Sequence, residues 1–99
     1  MDFNEYQEKA HETSLKTDIY GSKWLYAVLG LADESGEVCG KVKKLFRDKE
    51  GKVTPEFIED IKKEIGDVLW YMSEVCTNLG IELDEWSRWR FRYVQEHGY

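Results

Sequence analysis

Apolar residues recur along most of this chain at steps of three and four, the spacing that places them on one face of an α-helix. The pattern predicts four helices: about Asp2 to Lys16, about Lys23 to Arg47, Pro55 to about Leu79, and about Leu83 to Glu96. No segment of the sequence alternates apolar and polar residues in the manner of a strand. We therefore expect a single domain over residues 1–99 with an all-α fold, a small four-helix bundle.

The two central helices carry the longest predicted buried stripes. Their members are Trp24, Val28, Leu31, Ser35, Val38, Val42 and Leu45 in the second helix, and Ile58, Ile61, Ile65, Val68, Met72, Val75 and Leu79 in the third. The third helix has the clearest start, because Thr54 can cap it and Pro55 suits the first helical position. Gly80 is predicted to close it in a left-handed conformation, and Ser22 is predicted to cap the second helix.

Charge and cysteine content narrow the class of protein. The formal net charge of −6 argues against a general binder of nucleic acid or anionic membrane. The first residues lack the basic start and apolar run of a signal peptide, and no stretch approaches the apolar length of a membrane span. Cys39 and Cys76 lie in apolar helical stretches and are expected to be reduced core residues. The sequence therefore predicts a cytoplasmic protein.

Two acidic motifs stand at matching distances from the turn that joins the second and third helices. Glu34 and Glu37 form one pair and Glu64 and Asp67 the other, and a three-residue step places both carboxylates of a pair on one helix face. Because each pair lies roughly 13 residues from the turn near Gly51, antiparallel packing brings Glu37 level with Glu64 and Glu34 level with Asp67. Four like charges repel each other unless a cation binds among them. The spacing therefore predicts a site for Mg²⁺ or Mn²⁺, which prefer carboxylate oxygens.

Acidic residues three apart are also common on solvated helix faces, and 20 of the 99 residues are acidic. Against this alternative, Asp67 is the only charge between Glu64 and Glu74, and a carboxylate among apolar residues is costly unless it is paired or metal-bound. Glycine also interrupts both helices near the motifs, which indicates close helix packing or a bound ligand: Gly30, Gly36, Gly40 and Gly66. A di-iron centre would need two Glu-x-x-His motifs, and the chain has one, which ends at His11.

The same residues resemble a known family. The segments Gly30 to Val38, Lys41 to Lys44, Lys63 to Tyr71 and Leu79 to Ile81 are similar to the MazG-like nucleotide pyrophosphohydrolases, which belong to the all-α NTP pyrophosphatase superfamily. The resemblance implies an all-α bundle, commonly dimeric or tetrameric, that hydrolyses a nucleoside triphosphate to the monophosphate and pyrophosphate with Mg²⁺. It also implies which carboxylates bind the metal and serve catalysis: Glu34, Glu37, Glu64 and Asp67.

Residues that contact the substrate are expected around this centre. Lys41 and Lys44 lie one and two turns beyond the first motif and are candidate phosphate contacts, with an ordinary surface ion pair as the alternative for Lys41. Four aromatic residues are candidate platforms for the nucleotide base, with an ordinary core position as the alternative for each: Trp24, Tyr26, Trp70 and Trp89. In the last helix the family often carries an asparagine and then a lysine, whereas the matching positions here hold Arg90 and Tyr93. Arg90 could take over phosphate binding through its fork of donors, or it could pair with a neighbouring acid.

The leading interpretation is a Mg²⁺-dependent nucleoside triphosphate pyrophosphohydrolase in which water attacks the α-phosphorus. A dUTPase- or dCTPase-type relative with the same carboxylates is the alternative among enzymes, and a non-catalytic, nucleotide-binding helical dimerisation module is the alternative outside them. A homodimer or homotetramer is expected, because the last helix carries more aromatic side chains than one face of a short helix can bury. No nucleic-acid or membrane partner is expected.

Overall fold

The computed structural model describes residues 1–14 and 22–98, and these residues form four α-helices. The helices are α1 (Phe3–Glu12), α2 (Trp24–Lys49), α3 (Pro55–Asn78) and α4 (Leu83–His97). The predicted all-α fold with four helices is confirmed, and the ends of α2, α3 and α4 agree with the prediction to within two residues. In the part of the chain that is described, no helix combines the length and the apolar character that crossing a membrane requires.

The first helix ends earlier than its apolar pattern predicts. The prediction extended it to about Lys16, but α1 ends at Glu12, and residues 15–21 lie outside the described part of the chain. The backbone N–H and the hydroxyl group of Thr13 both donate to the carbonyl oxygen of Ala10, at 3.1 and 2.7 Å. A threonine that bonds to the local backbone in this way favours a helix end, which apolar spacing alone does not reveal.

The predicted starts of α2 and α3 are confirmed by their hydrogen bonds. The hydroxyl oxygen of Thr54 accepts a hydrogen bond from the N–H of Phe57 at 3.1 Å, and Pro55 lies in the first turn of α3. Ser22 similarly accepts from the N–H of Leu25 at 3.2 Å. These bonds satisfy backbone donors that have no partner within the helix.

The end of α3 is closed as predicted by a left-handed glycine. Gly80 has a φ of +73°, a conformation that residues with a side chain rarely adopt. The N–H of Gly80 donates to the carbonyl oxygen of Thr77 at 3.2 Å, and the N–H of Ile81 donates to that of Cys76 at 2.8 Å. The two bonds form a Schellman motif, which satisfies carbonyl groups in the last turn of the helix.

α2 and α3 form a long antiparallel hairpin, and α3 is the central helix of the molecule. α3 contacts α1, α2 and α4, whereas α2 contacts α3 alone among the described helices. The turn of the hairpin passes through Glu50 and Gly51, with φ of 56° and 74°. This arrangement brings the acidic motifs of α2 and α3 side by side and leaves most of the surface of α2 without a neighbouring helix.

The apolar core of the single chain is therefore small. Among the described residues, the buried apolar side chains are Ala10, Ala27, Leu45, Cys76 and Leu83. Several members of the predicted buried stripes are instead exposed: Trp24, Val28, Ser35, Val42, Ile58, Ile65 and Leu79. The stripe prediction is wrong for these positions in the single chain, because no second helix lies against that side of the hairpin.

α1 is joined to the hairpin and to α4 by polar contacts. The side-chain amide of Gln7 donates to the carbonyl oxygen of Ile81 at 2.8 Å, and its oxygen accepts from the N–H of Leu83 at 2.8 Å. His11 lies on the same helix, with its Nδ1 atom 3.3 Å from the carboxylate of Glu74, a side chain that is almost completely buried. The bonds of Gln7 join α1 to the α3–α4 turn and the start of α4, and the contact of His11 holds α1 against the C-terminal half of α3.

The glycines near the acidic motifs differ in their surroundings. A Cβ atom at Gly30 would overlap the ring of Tyr71, so this glycine allows α2 and α3 to approach each other. At Gly36, Gly40 and Gly66, no atom of another described element lies within 4 Å of the Cβ position. Close helix packing is therefore confirmed for Gly30 and does not occur at the other three in the single chain, where a bound ligand stays a prediction.

The two cysteines differ in how far they are buried. Both are free thiols; Cys76 is buried, as predicted, whereas Cys39 is exposed. The prediction that both are core residues is wrong for Cys39, which lies on the part of α2 that no other described helix covers.

Candidate metal centre

Three carboxylates from the two acidic motifs meet where α2 packs against α3. Glu34 projects from α2, and Glu64 and Asp67 project from the facing turns of α3. One oxygen atom of each side chain lies within 4.8 Å of those of the other two. Glu64 is only 9% exposed, and the other two are half-buried. The structure thus brings Glu34 and Asp67 together, as their matching distances from the turn predict.

Glu37, the fourth predicted ligand, lies outside this group and is exposed one turn further along α2. The charge of Glu37 nevertheless acts on Glu34. Burial raises the pKa of Glu34 above its ordinary value, and four neighbouring carboxylates raise it further: Asp67, Asp33, Glu64 and Glu37. A role of Glu37 as a metal ligand stays a prediction.

The donor set fits a divalent cation. Mg²⁺ holds oxygen ligands at about 2.0–2.1 Å, which places opposite ligands about 4 Å apart. Three carboxylate oxygens within 4.8 Å of one another lie close to that span. Without a cation, the mutual repulsion of these charges opposes ionisation, and the raised pKa of Glu34 is one result of it. Glu34, Glu64 and Asp67 are therefore the residues that could hold the metal.

Tyr71 lies beside the carboxylates and was not predicted as a site residue. Its ring packs against Gly30, and its centroid lies 6.3 Å from that of Tyr26. Burial raises the pKa of Tyr71, and the hydrogen bond to Tyr26 and the charges of Tyr26, Glu34 and Asp33 raise it further. One sequence signal was available: Tyr71 is four residues after Asp67 and therefore on the same helix face.

A second phenol, that of Tyr6 on α1, lies near enough to Asp67 for the charge of this residue to act on it. Burial raises the pKa of Tyr6, and the charge of Asp67 adds to this effect. Tyr6 and Tyr71 therefore keep their protons at neutral pH and can donate hydrogen bonds to an anionic ligand. No local pattern could have identified Tyr6, because its approach to Asp67 depends on how α1 docks on α3.

The two predicted phosphate-binding lysines lie between the carboxylates and the tip of the hairpin. Lys41 is half-buried, and Lys44 is exposed. No ion pair connects either ammonium group with another residue of the described ranges. Both positions are consistent with contacts to an anionic ligand, and these contacts stay predictions.

The other two predicted substrate-binding residues lie further away. Trp24 is the first residue of α2 and is half-exposed, about 15 Å along the helix from Glu34. Arg90 lies on α4, with its guanidinium carbon 5.5 Å from the centroid of the Tyr93 ring. α4 packs on α1 and α3 and, in the described part of the chain, does not contact α2. Roles for Trp24 and Arg90 in substrate binding stay predictions.

A cleft of about 520 Å³ lies between α1 and the turn that joins α3 to α4. Gln7 and His11 line it, and both are engaged in the contacts that hold α1 in place. The carboxylates of the metal centre do not line this cleft. A cleft of this volume is a candidate ligand site, but the clustered carboxylates provide the chemistry that a metal-dependent reaction needs.

Comparisons with known proteins identify the family of this chain. The family model described as the MazG nucleotide pyrophosphohydrolase domain matches residues 25–88, which include both acidic motifs and more than half of the chain. The Gene 37 protein of Mycobacterium phage L5 is 43% identical over 58 residues, 59% of this chain and 51% of that protein. The chain thus spans about half the length of this curated relative. No solved structure gives a significant match.

Proposed function

Because the chain belongs to the MazG nucleotide pyrophosphohydrolase domain family, we propose that it is a Mg²⁺-dependent nucleoside triphosphate pyrophosphohydrolase. The reaction converts an NTP or dNTP to the monophosphate and pyrophosphate, with attack of water on the α-phosphorus. The observation that carries the proposal is the meeting of Glu34, Glu64 and Asp67, from two separate motifs, within 4.8 Å. Three carboxylates that converge from two facing helices support a cation site more strongly than acidic residues along one helix face would.

The carboxylates would have two roles. Glu34, Glu64 and Asp67 would hold the cation, with Glu37 as a further ligand. When bound, a divalent cation offsets the charge of phosphate oxygens and makes a water molecule more acidic. One of these carboxylates, or Asp33 beside them, would accept the proton that the attacking water loses.

The other side chains near the centre would bind and orient the nucleotide. Lys41 and Lys44 would contact the phosphate groups, since both carry an ammonium group on the same stretch of α2. The phenol groups of Tyr71 and Tyr6 would donate hydrogen bonds, because burial and nearby charge keep them protonated. A base platform at Trp24 and a phosphate contact from Arg90 are further parts of the proposal.

The proposal extends to assembly and location. A homo-oligomer, dimer or tetramer, is supported by the exposed aromatic side chains Trp86, Trp89 and Phe91 of α4. A cytoplasmic location is supported by the two free cysteines, since reduced thiols persist in that compartment.

The test is pyrophosphate release from a panel of ribo- and deoxynucleoside triphosphates, with Mg²⁺ and with EDTA. We expect release that requires Mg²⁺ and that falls by about a hundredfold or more in Asp67→Asn, because the variant removes a charged oxygen from the centre. The matched control is Asp48→Asn, the same change on an exposed residue about 20 Å further along α2 than Glu34. Its turnover should equal that of the wild type.

The panel also separates the alternatives. Release from dUTP or dCTP alone would identify a specialised relative of that type. A folded wild-type chain that releases pyrophosphate from no nucleotide would contradict the proposal and favour a non-catalytic nucleotide-binding module. Equal turnover in Asp67→Asn and Asp48→Asn would show that the carboxylate cluster is not the active site.

A further inference from the structure

The C-terminal end of α1 contacts two successive turns of α3. The Nδ1 atom of His11 lies 3.3 Å from the carboxylate of Glu74, and the hydroxyl oxygen of Thr13 accepts a hydrogen bond from the indole N–H of Trp70 at 3.0 Å. Trp70 and Glu74 are four residues apart and therefore lie on one face of α3. α1 itself lies before residue 25, where the match to the family model begins. These contacts are thus a feature of this chain that the family match does not include.

The contact with Trp70 reaches the candidate metal centre through one further ring. The ring of Tyr71 meets that of Trp70 edge to face, with centroids 5.0 Å apart and planes at 84°, a favourable arrangement for an aromatic pair. The Tyr71 ring also packs against Gly30 and is hydrogen-bonded to Tyr26. Glu34 lies near enough for its charge to act on the Tyr71 phenol. Trp70 is therefore one of the neighbours that fix where this phenol lies relative to the carboxylates.

Of the two contacts at the end of α1, that of His11 has the larger energetic consequence. The side chain of Glu74 is only 3% exposed, and both of its carboxylate oxygens lie within 3.4 Å of the His11 Nδ1 atom. A buried carboxylate that loses its partner carries the full cost of its desolvation. The side chain of His11 is itself 54% exposed, so its removal takes this partner away without opening a large cavity in the core. The hydrogen bond between Thr13 and Trp70 is exposed, and water can replace it.

We propose that His11 is a positioning residue for the active site. Through Glu74 it holds the end of α1 against α3, where Thr13 fixes the indole of Trp70. Trp70 in turn supports the phenol of Tyr71 beside the carboxylates. His11 is not a member of the carboxylate group, so it acts on the centre only through these neighbours. Its effect on turnover rests on the proposed function, whereas its effect on the two aromatic rings does not.

The first test follows the two rings by NMR in EDTA, without nucleotide. The indole N–H signal of Trp70 and the ring signals of Tyr71 are assigned by their loss in Trp70→Phe and Tyr71→Phe. In His11→Ala we expect the indole N–H to exchange with solvent about tenfold or more faster than in the wild type, because the end of α1 opens locally. The ring signals of Tyr71 should shift in the same variant. Alanine is the best helix former, so a loss of helix propensity would not explain these changes.

Two further variants control this measurement. His11→Asn keeps a nitrogen that can donate to Glu74, so the exchange rate and the ring signals should stay near those of the wild type. His97→Ala makes the same change as His11→Ala at the other histidine of the chain, on α4, and should alter neither. Equal signals in His11→Ala and the wild type would overturn the proposal. A His11→Asn variant that behaves as His11→Ala does would also overturn it, because a donor to Glu74 would then not be what positions the rings.

Turnover of a nucleoside triphosphate separates positioning from a general loss of stability. In His11→Ala we expect kcat/KM to fall about tenfold with a raised KM, whereas the same substitution in a Tyr71→Phe background should change it less than about twofold. A merely structural role would lower the active fraction by one factor in both backgrounds and leave KM unchanged, and that result would overturn the proposal. A wild type that releases no pyrophosphate, but whose Tyr71 signals depend on His11, would contradict the proposed function and support the positioning of the ring.

Discussion

At the scale of single residues, Glu34 is the side chain on which the charges of the centre act together. Its pKa is raised in the folded chain, first by burial and then by four neighbouring carboxylates. An acid with a raised pKa destabilises the fold when it is ionised. This cost is complete above the raised pKa, decreases as the pH falls through it, and vanishes below the ordinary pKa of the unfolded chain.

We therefore expect Glu34→Gln to be more stable than the wild type at pH 7 in EDTA. The difference in the free energy of unfolding should shrink as the pH falls and disappear near the ordinary pKa of glutamate, about 4.3. Urea unfolding between pH 4 and 8 measures it. The control is Glu59→Gln, which removes only an exposed ion pair with Lys62 and should give a small difference that does not follow this pattern. A Glu34→Gln variant that is less stable than the wild type at pH 7 would contradict the repulsion.

Part of this centre could be predicted from the sequence. The positions of Glu34 and Asp67 could be matched by counting residues from the turn, because both helices rise by the same amount per residue. Tyr6 could not be found in that way, since it approaches Asp67 through the docking of α1. Counting residues also fails for Glu37. The count gives its height on the hairpin correctly, but its carboxylate lies outside the group formed by Glu34, Glu64 and Asp67.

At the scale of elements, the contact between α2 and α3 depends on a glycine, which has no side chain. Gly30 lies against the ring of Tyr71, and a Cβ atom there would overlap it. We expect Gly30→Ala to destabilise the chain by about 1–3 kcal/mol, because overpacking outweighs the better helix propensity of alanine. Thermal unfolding followed by circular dichroism measures the change, and the tyrosine signal in the near ultraviolet should change with it.

Gly40→Ala is the matched control on the same helix. No atom of another described element lies within 4 Å of its Cβ position, so only helix propensity should act. That variant should be more stable by about 0.5–1 kcal/mol. If both substitutions stabilised the chain, the close approach at Gly30 would be contradicted.

The elements themselves were largely predictable, and their packing was less so. Thr54, Pro55 and Gly80 are local signals, and the structure uses all three as expected. The end of α1 was missed because Thr13 forms local hydrogen bonds that an apolar pattern does not show. The exposure of Ile65 was missed for a different reason: the pattern indicates that a position is suited to burial, but it does not say which chain buries it.

At the scale of the whole molecule, a small core and a formal charge of −6 leave stability sensitive to any ligand of the folded state. Ligands that bind only the folded chain stabilise it by RT ln(1 + [L]/Kd), about 2.7 kcal/mol at a concentration of one hundred times Kd. For a domain of this size, such a gain corresponds to a rise in Tm on the order of 10 °C. We therefore expect saturating Mg²⁺ to raise the Tm of the wild type by that order.

The control must separate binding from screening, because any salt weakens repulsion within an acidic chain. NaCl at equal ionic strength should give a smaller rise in Tm, and that rise should be the same in the wild type and in Asp67→Asn. The additional effect of Mg²⁺ should be lost in Asp67→Asn, which removes one carboxylate from the group of three and which we expect to keep its helices, as circular dichroism would check. If Mg²⁺ and NaCl acted alike on the wild type, the acidic cluster would be a solvated surface and not a metal centre. An effect specific to Mg²⁺ that depends on Asp67 would connect the stability of the whole molecule to the point where α2 and α3 meet.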